Sequence, residues 1–70
     1  MKMKFILTFD IPREMKSLQR RVQRHLVSMG ARMIQFSLWE TSELQSLIDI
    51  AREIKRSGGD ARILEERFVF

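Results

Sequence analysis

Apolar residues in this chain recur first at every second position and then at every third or fourth, and this change of period occurs twice. A period of two indicates a β-strand, and a period of about 3.6 indicates an α-helix. The first strand pattern ends at Pro12, and its apolar members are Met3, Phe5, Leu7 and Phe9. The first helix pattern runs from Arg13 to Gly30, and its apolar members are Met15, Leu18, Val22, Leu26 and Met29.

The rest of the chain repeats this order. Residues 31–40, ARMIQFSLWE, alternate as a second strand, which a bend near Ser37 would divide into two. Ser42 with Gln45 three residues later has the spacing of a capping box, so we expect the second helix to begin there. Its apolar stripe is Leu44, Leu47, Ile48, Ala51 and Ile54, and it ends at Gly58-Gly59. Residues 61–64 and 67–70 are predicted to form one or two short strands.

This order of elements predicts the fold class. A β-α-β-(β)-α-β order with short connections is typical of an α+β ferredoxin-like sandwich, in which two helices cover one face of an antiparallel sheet. We therefore expect a single domain over residues 1–70. Ile6, Met33 and Trp39 alternate with the sets assigned to the core, so we expect them on the uncovered face. A second copy would bury that face, which predicts a homodimer.

Size and composition support an assembly. A 70-residue chain buries only about 60% of its unfolded surface, and this chain has no cysteine that could form a disulfide. Its longest apolar runs have only three residues, as at residues 5–7, and are too short to cross a membrane. No leader pattern opens the chain, so we expect a cytoplasmic protein without membrane contact. The formal net charge of +4 favours polyanionic partners.

Four cations fall within about one quarter of the circumference of the first predicted helix, opposite its apolar stripe. These residues, which we call the basic ridge, are Arg13, Lys16, Arg20 and Arg24. Such a ridge is either a solvated helix face or a surface that binds the phosphate backbone of DNA or RNA without sequence preference. The sequence leaves both interpretations open, and it does not separate DNA from RNA.

Other motifs exclude several kinds of chemistry. His25 has no second ligand at metal spacing, Ser37 has no His and Asp partners, and the glycines form no phosphate-binding loop. Asp10 stands alone at the end of the first strand, before Ile-Pro. It can cap the following helix, or it can bind a hard cation such as Mg²⁺ with further oxygen ligands.

The segments FDIP and IQFSLWE, with the arginine-rich helix between them, resemble the second of the CRISPR-associated proteins over nearly the whole chain. The resemblance implies a ferredoxin-like homodimer, a Mg²⁺ site at Asp10, endonuclease activity in some members, and a role beside an integrase when new spacers are captured. Asp10 matches the metal-associated and catalytic aspartate, with Phe9, Ser37 and Trp39 in supporting positions.

One position departs from that family. An arginine commonly stands where this chain has Met33, and Arg32 is displaced by one residue, which turns its side chain to the opposite face of a strand. Two other families share the pattern. The dimerisation domain of phenylacetate-pathway repressors is similar and predicts a non-catalytic scaffold, and the virulence-associated D ribonucleases are similar in fold. Whether the chain cuts nucleic acid stays open at this point.

Overall fold

The computed structural model describes residues 3–67 of the chain. Their elements, in order, are β1 Phe5–Asp10, α1 Lys16–Ser28, β2 Arg32–Gln35, β3 Leu38–Thr41, α2 Leu44–Arg56 and β4 Asp60–Glu65. The strands form one sheet in the order β2-β3-β1-β4, and every neighbouring pair is antiparallel. This α+β architecture agrees with the predicted ferredoxin-like fold. Neither helix of residues 3–67 has the length and apolar character needed to cross a bilayer.

The core lies between the two helices and one face of the sheet. Its fully or nearly buried members are Leu7, Leu18, Val22, Leu26, Trp39, Leu47, Ile50, Ile54 and Ala61. The α1 members recur at positions 18, 22 and 26, so they form the single stripe that the helical period predicts. In α2, however, the core takes Ile50, whereas Leu44 is 37% exposed, which corrects part of the predicted stripe.

Residues 31–40 form two strands joined by a tight turn at Phe36 and Ser37. Two hydrogen bonds hold this turn against the sheet. The indole Nε1 of Trp39 donates to the carbonyl oxygen of Phe36 at 3.2 Å, and the backbone N–H of Phe9 donates to the carbonyl oxygen of Ser37 at 3.2 Å. The alternative with two strands is therefore confirmed, and the turn lies beside the end of β1.

This hairpin overturns the predicted placement of Trp39 and Met33. Trp39 is opposite Leu7 on one side and opposite Met33 on the other, and directly opposed residues share a face. Trp39 is therefore a core residue, only 4% exposed, and Met33 is on the helix-covered side of the edge strand β2. The turn and a register shift between Met33 and Gln35 interrupt the two-residue period. A strand pattern extended unbroken across residues 33–39 therefore assigned Met33 and Trp39 to the wrong face of the sheet.

Both helices begin later than predicted. The N-cap of α1 is Met15, so Arg13 lies in the turn before the helix, and the N-cap of α2 is Glu43 rather than Ser42. Neither N-cap makes a side-chain hydrogen bond, so the predicted capping box is wrong. Instead, the hydroxyl of Thr41 accepts a hydrogen bond from the backbone N–H of Glu43 at 3.2 Å.

The last predicted strand, residues 67–70, lies outside the described residues except for Arg67, which is not in a strand. The strand before it is longer than predicted, because β4 begins at Asp60 directly after the two glycines. Gly59 allows the chain to pass close to the end of β1 and to α2 at the start of β4. A Cβ atom on Gly59 would lie 2.8 Å from the carbonyl oxygen of Asp10 and 2.8 Å from Cγ2 of Ile54.

Gly59→Ala should therefore destabilise the fold by about 1–3 kcal/mol, because backbone and core atoms must shift to admit the methyl group. Urea unfolding followed by circular dichroism measures this change. Ser17→Ala, at an exposed position of α1, is the control and should change stability by less than about 0.5 kcal/mol. A Gly59→Ala variant as stable as the wild type would contradict the packing described here.

Candidate functional site

The candidate site lies where β1 ends, because three other segments meet it there. The hairpin turn lies on one side of Asp10, the start of β4 on the other, and α1 follows within six residues. Asp10 itself is exposed, and within residues 3–67 its side chain makes no hydrogen bond or ion pair. Since the α1 N-cap is Met15 without a side-chain cap, Asp10 does not cap the helix. That interpretation of Asp10 is wrong.

A cavity of about 190 Å³, which we call the hairpin cavity, opens between β1, α1 and the turn. It is lined by Phe9, Asp10, Ile11, Gln19, Phe36 and Ser37. The structure thus brings Asp10 together with two of its predicted supporting residues, Phe9 and Ser37, although Ser37 is far away in sequence. Trp39 does not line this cavity, but its indole N–H donates a hydrogen bond to the carbonyl oxygen of Phe36, which does. The sequence did not indicate Gln19 and Phe36 as site residues.

A second cavity of about 160 Å³ adjoins the other side of Asp10, and Thr8, Asp60 and Arg62 are among its lining residues. Asp10 and Asp60 are directly opposed in the β1–β4 ladder, so their side chains leave the same face of the sheet. One oxygen of Asp60 accepts a hydrogen bond from the N–H of Ala61 at 3.0 Å. Asp60 was not predicted as a site residue, although a β4 strand starting right after Gly59 and running antiparallel to β1 would have placed it there.

The two carboxylates fit a hard divalent cation. Mg²⁺ is usually held through one or two carboxylates, with waters or substrate phosphates as its other ligands. Asp10 and Asp60 supply that number. Within the described residues no group of three or more His, Cys, Asp or Glu side chains could hold a metal ion. The remaining ligands must therefore come from water, from a phosphate or from another chain.

Every residue of the basic ridge is exposed, and within residues 3–67 none makes an ion pair within 4.0 Å. Lys16, Arg20 and Arg24 lie on α1, and Arg13 lies in the turn before it, which corrects its predicted place on the helix. Arg24 differs from the others because it borders a groove that also contains Asp49 and Glu53 of α2. Lys16 borders a different cavity, to which Glu14 in the turn before α1 contributes a carboxylate.

Arg21, which lies beside the ridge, has a structural contact. Its Nε donates to an oxygen of Glu53 at 2.9 Å and thereby joins α1 to α2. A partly exposed pair of this kind contributes about 0.2–1 kcal/mol. Arg21 is consequently less available to an outside anion than its ridge neighbours.

The sheet face that the helices leave uncovered carries a charged cluster around Glu40. This carboxylate is buried, and it lies 3.3 Å from Nε of Arg32 and 3.6 Å from Nζ of Lys4. Arg32 points to this face because it is directly opposite Glu40 in the β2–β3 ladder. Its observed role is thus to balance Glu40, away from the two cavities at Asp10.

The carboxyl groups of Glu40 and Glu66 interact, and the interaction moves their pKa values in opposite directions. The hydrogen bond from Glu66 lowers the pKa of Glu40, the charges of Arg32 and Lys4 lower it further, and burial opposes them. The hydrogen bond to Glu40 raises the pKa of Glu66, and burial and the negative charge of Glu40 act in the same direction. Glu66 therefore keeps its proton to a higher pH than an ordinary glutamate, and Glu40 stays ionised to a lower pH.

Compared with known proteins, the chain matches no protein-family model and no curated protein sequence. The resemblance to the second of the CRISPR-associated proteins therefore rests on the motifs given above, and what it implies stays a prediction.

The Glu40–Glu66 pair makes stability depend on pH. Because the pKa of Glu66 is raised on folding, its contribution is complete below its unfolded pKa and is lost as the pH rises through the folded value. Glu66→Gln keeps a hydrogen-bond donor at every pH. We therefore expect similar melting temperatures for variant and wild type near pH 4, and a higher melting temperature for the variant near pH 8.

Differential scanning calorimetry across this pH range measures the effect. Glu65→Gln changes the neighbouring glutamate, which accepts hydrogen bonds from Arg67, and should gain no stability over the wild type as the pH rises. If the melting temperatures of Glu66→Gln and wild type differ by the same amount at every pH, folding does not raise the pKa of Glu66.

Proposed function

We propose that this chain is a cytoplasmic CRISPR-associated protein that binds nucleic acid during spacer acquisition and hydrolyses phosphodiester bonds with Mg²⁺. The observation that supports this proposal best is the position of Asp10. It is exposed, it caps no helix, and it lies between two cavities with a second carboxylate, Asp60, directly opposite. The basic ridge begins at the same end of the sheet, because α1 starts there.

In this proposal the cations of α1 bind the nucleic acid, and the carboxylates at the end of β1 bind the metal ion. Lys16 and Arg20 bind backbone phosphates and hold the strand along α1, in a way that carries no sequence information. Asp10 and Asp60 would hold the Mg²⁺ ion, which when bound activates a water molecule and offsets charge on the phosphate. Hydrolysis of a phosphodiester would add hydroxide from water to phosphorus, while the P–O ester bond breaks and the leaving oxygen takes up a proton. Ser37 and Phe9 shape the cavity beside Asp10.

Homodimerisation through the uncovered sheet face remains part of the proposal. Ile6 and Leu64 are opposite each other on that face, Leu38 is on it as well, and Leu64 is 52% exposed. These residues, instead of Met33 and Trp39, supply the apolar surface that a second copy would cover. An integrase subunit as a further partner is implied by the family resemblance alone.

A non-catalytic scaffold is the second candidate, and one observation favours it. The described residues supply only two carboxylates at the site, without a third metal-binding side chain. A scaffold would keep the ridge and the dimer but would cut nothing.

Asp10→Asn separates the two candidates. Because Asp10 caps no helix and its side chain makes no hydrogen bond or ion pair within residues 3–67, the change should leave the melting temperature unaltered. For an endonuclease we expect Mg²⁺-dependent cleavage to fall by about 100-fold or more, since even residues that only orient metal ligands are worth about 10–100-fold. Gel assays on single- and double-stranded DNA and RNA, with Mg²⁺ or EDTA, measure cleavage.

Asp49→Asn, an equivalent change on the exposed side of α2, is the matched control and should cut like the wild type. Light scattering on each variant checks that the assembly is unchanged. A wild-type protein that cuts no substrate with any divalent metal, but still binds nucleic acid, would refute the endonuclease and leave the scaffold.

Lys16→Gln combined with Arg20→Gln tests the ridge. Losing two phosphate contacts should weaken binding to all sequences alike and flatten the slope of log affinity against log salt by about 1.4 for single strands or about 1.8 for duplexes. Arg52→Gln with Arg56→Gln removes the same charge from exposed positions of α2 and should change the slope by much less. Fluorescence anisotropy between about 50 and 200 mM salt measures both. Equal slopes for the two double variants would assign the ridge to a solvated helix face.

A further inference from the structure

Phe36 exposes 71% of its surface at the tip of the β2–β3 hairpin. A single exposed apolar side chain is ordinary on a protein surface. Phe36 differs from other exposed apolar residues because two hydrogen bonds hold the backbone of its turn in place. Its own carbonyl accepts the indole N–H of Trp39, a buried residue, and the carbonyl of Ser37 accepts the N–H of Phe9. The ring is thus presented to solvent by a turn that is held to the sheet at two points.

The ring of Phe36 borders the hairpin cavity. Two polar side chains that also line this cavity, Gln19 and Ser37, can form further hydrogen bonds. The amide nitrogen of Gln19 lies 3.5 Å from the carbonyl oxygen of Pro12, which is long for a hydrogen bond. Within residues 3–67 the amide oxygen of Gln19 and the hydroxyl of Ser37 have no hydrogen-bond partner among protein side chains. At about 190 Å³ the cavity is smaller than the sites of drug-sized ligands, but it is open beside a flat aromatic face.

Gln19 also connects this cavity to the basic ridge. It lies on α1 three residues after Lys16 and directly before Arg20, so one turn of helix carries the cavity wall and two of the ridge cations. Aromatic faces beside a track of cations are how proteins bind single-stranded nucleic acid, since every base has a face that stacks and every linkage has a charge.

We infer that Phe36 is a stacking platform for one unpaired base of a single-stranded nucleic acid, whose neighbouring phosphates lie on Lys16 and Arg20. Gln19 and Ser37 provide hydrogen bonds to the edge of that base. This inference rests on the proposed nucleic-acid binding and narrows it to single strands. Bases within a duplex are already stacked on their neighbours, so their faces are not available to Phe36 without unpairing.

Lys16 and Arg20 decide between this occupant and a protein partner. A ring that served only to pack against another protein would not need two cations on the adjoining helix turn that make no ion pair within residues 3–67. A polyanion with flat apolar groups matches both features, and a single strand has both in every nucleotide.

The test compares two probes of equal charge, a single strand of about ten nucleotides and a strand of the same length that lacks its bases. Anisotropy should show that Phe36→Ala weakens binding of the base-bearing strand about fivefold or more and leaves the abasic strand unchanged. Phe36→Trp should keep the affinity, because it restores a flat ring. Phe36→Leu should bind like Phe36→Ala, since it keeps apolar surface without a flat face. Val27→Ala, at another exposed apolar residue, should bind both probes like the wild type.

The outcomes separate this inference from the function it rests on. If Phe36→Ala binds both probes as tightly as the wild type, while Lys16→Gln with Arg20→Gln still weakens them, stacking is refuted and nucleic-acid binding stands. If Phe36→Ala loses affinity equally for both probes and light scattering shows a smaller assembly, the ring is a contact between protein chains and stacking is refuted. If the wild type binds neither probe, both ideas fail.

Discussion

The pairing of β1 with a neighbour on each side is the constraint on which the rest of the structure depends. β1 is an inner strand, with β3 along one edge and β4 along the other, and all six of its residues are paired with β4. Because both partners run antiparallel to it, the end of β1 must lie beside the start of each. Asp10 therefore meets the β2–β3 hairpin and Asp60 without any special loop. The site is a product of strand order.

Different interactions stabilise the two faces of this sheet. The face under the helices is apolar and closely packed, with Leu7 and Trp39 at its centre. On the other face a buried Glu40 is balanced by Lys4 and Arg32, and its interaction with Glu66 lowers its pKa further. A buried charge is tolerated only where such partners surround it. Removing Lys4 or Arg32 would leave the buried carboxylate of Glu40 less compensated, which is destabilising.

Much of the fold could be read from the sequence, because the periods of its helices and strands are strong. The core stripe of α1 was predicted from spacing alone, and so was the order of elements. What spacing could not supply was the register across residues 33–39. There a tight turn and a one-residue irregularity change which side chains share a face. Trp39 was therefore assigned to the wrong face. Ile50 was missed because α2 packs against α1 as well as against β1 and β4, so its buried face is wider than one narrow stripe.

The candidate site was only partly predictable for a related reason. Asp10 could be named because a carboxylate after an apolar strand is conspicuous. Asp60, Gln19 and Phe36 carry no local signal, since each is an ordinary surface residue until strand order and helix docking place it beside Asp10. Their roles depend on tertiary neighbours, which a pattern of apolar residues does not encode. The motif resemblance indicated Phe9 and Ser37, which the fold then brought together.

The bond between Trp39 and the hairpin turn gives the protein an internal optical reporter. Trp39 is the only tryptophan and the chain has no tyrosine, so its ultraviolet fluorescence comes almost entirely from one indole. That indole is buried, and its N–H is bonded to the very turn that borders Asp10. Any ligand, metal or partner that shifts the turn changes the polarity and hydrogen bonding of the fluorophore. Events at this end of the sheet can therefore be followed by emission from the unlabelled, unmutated chain.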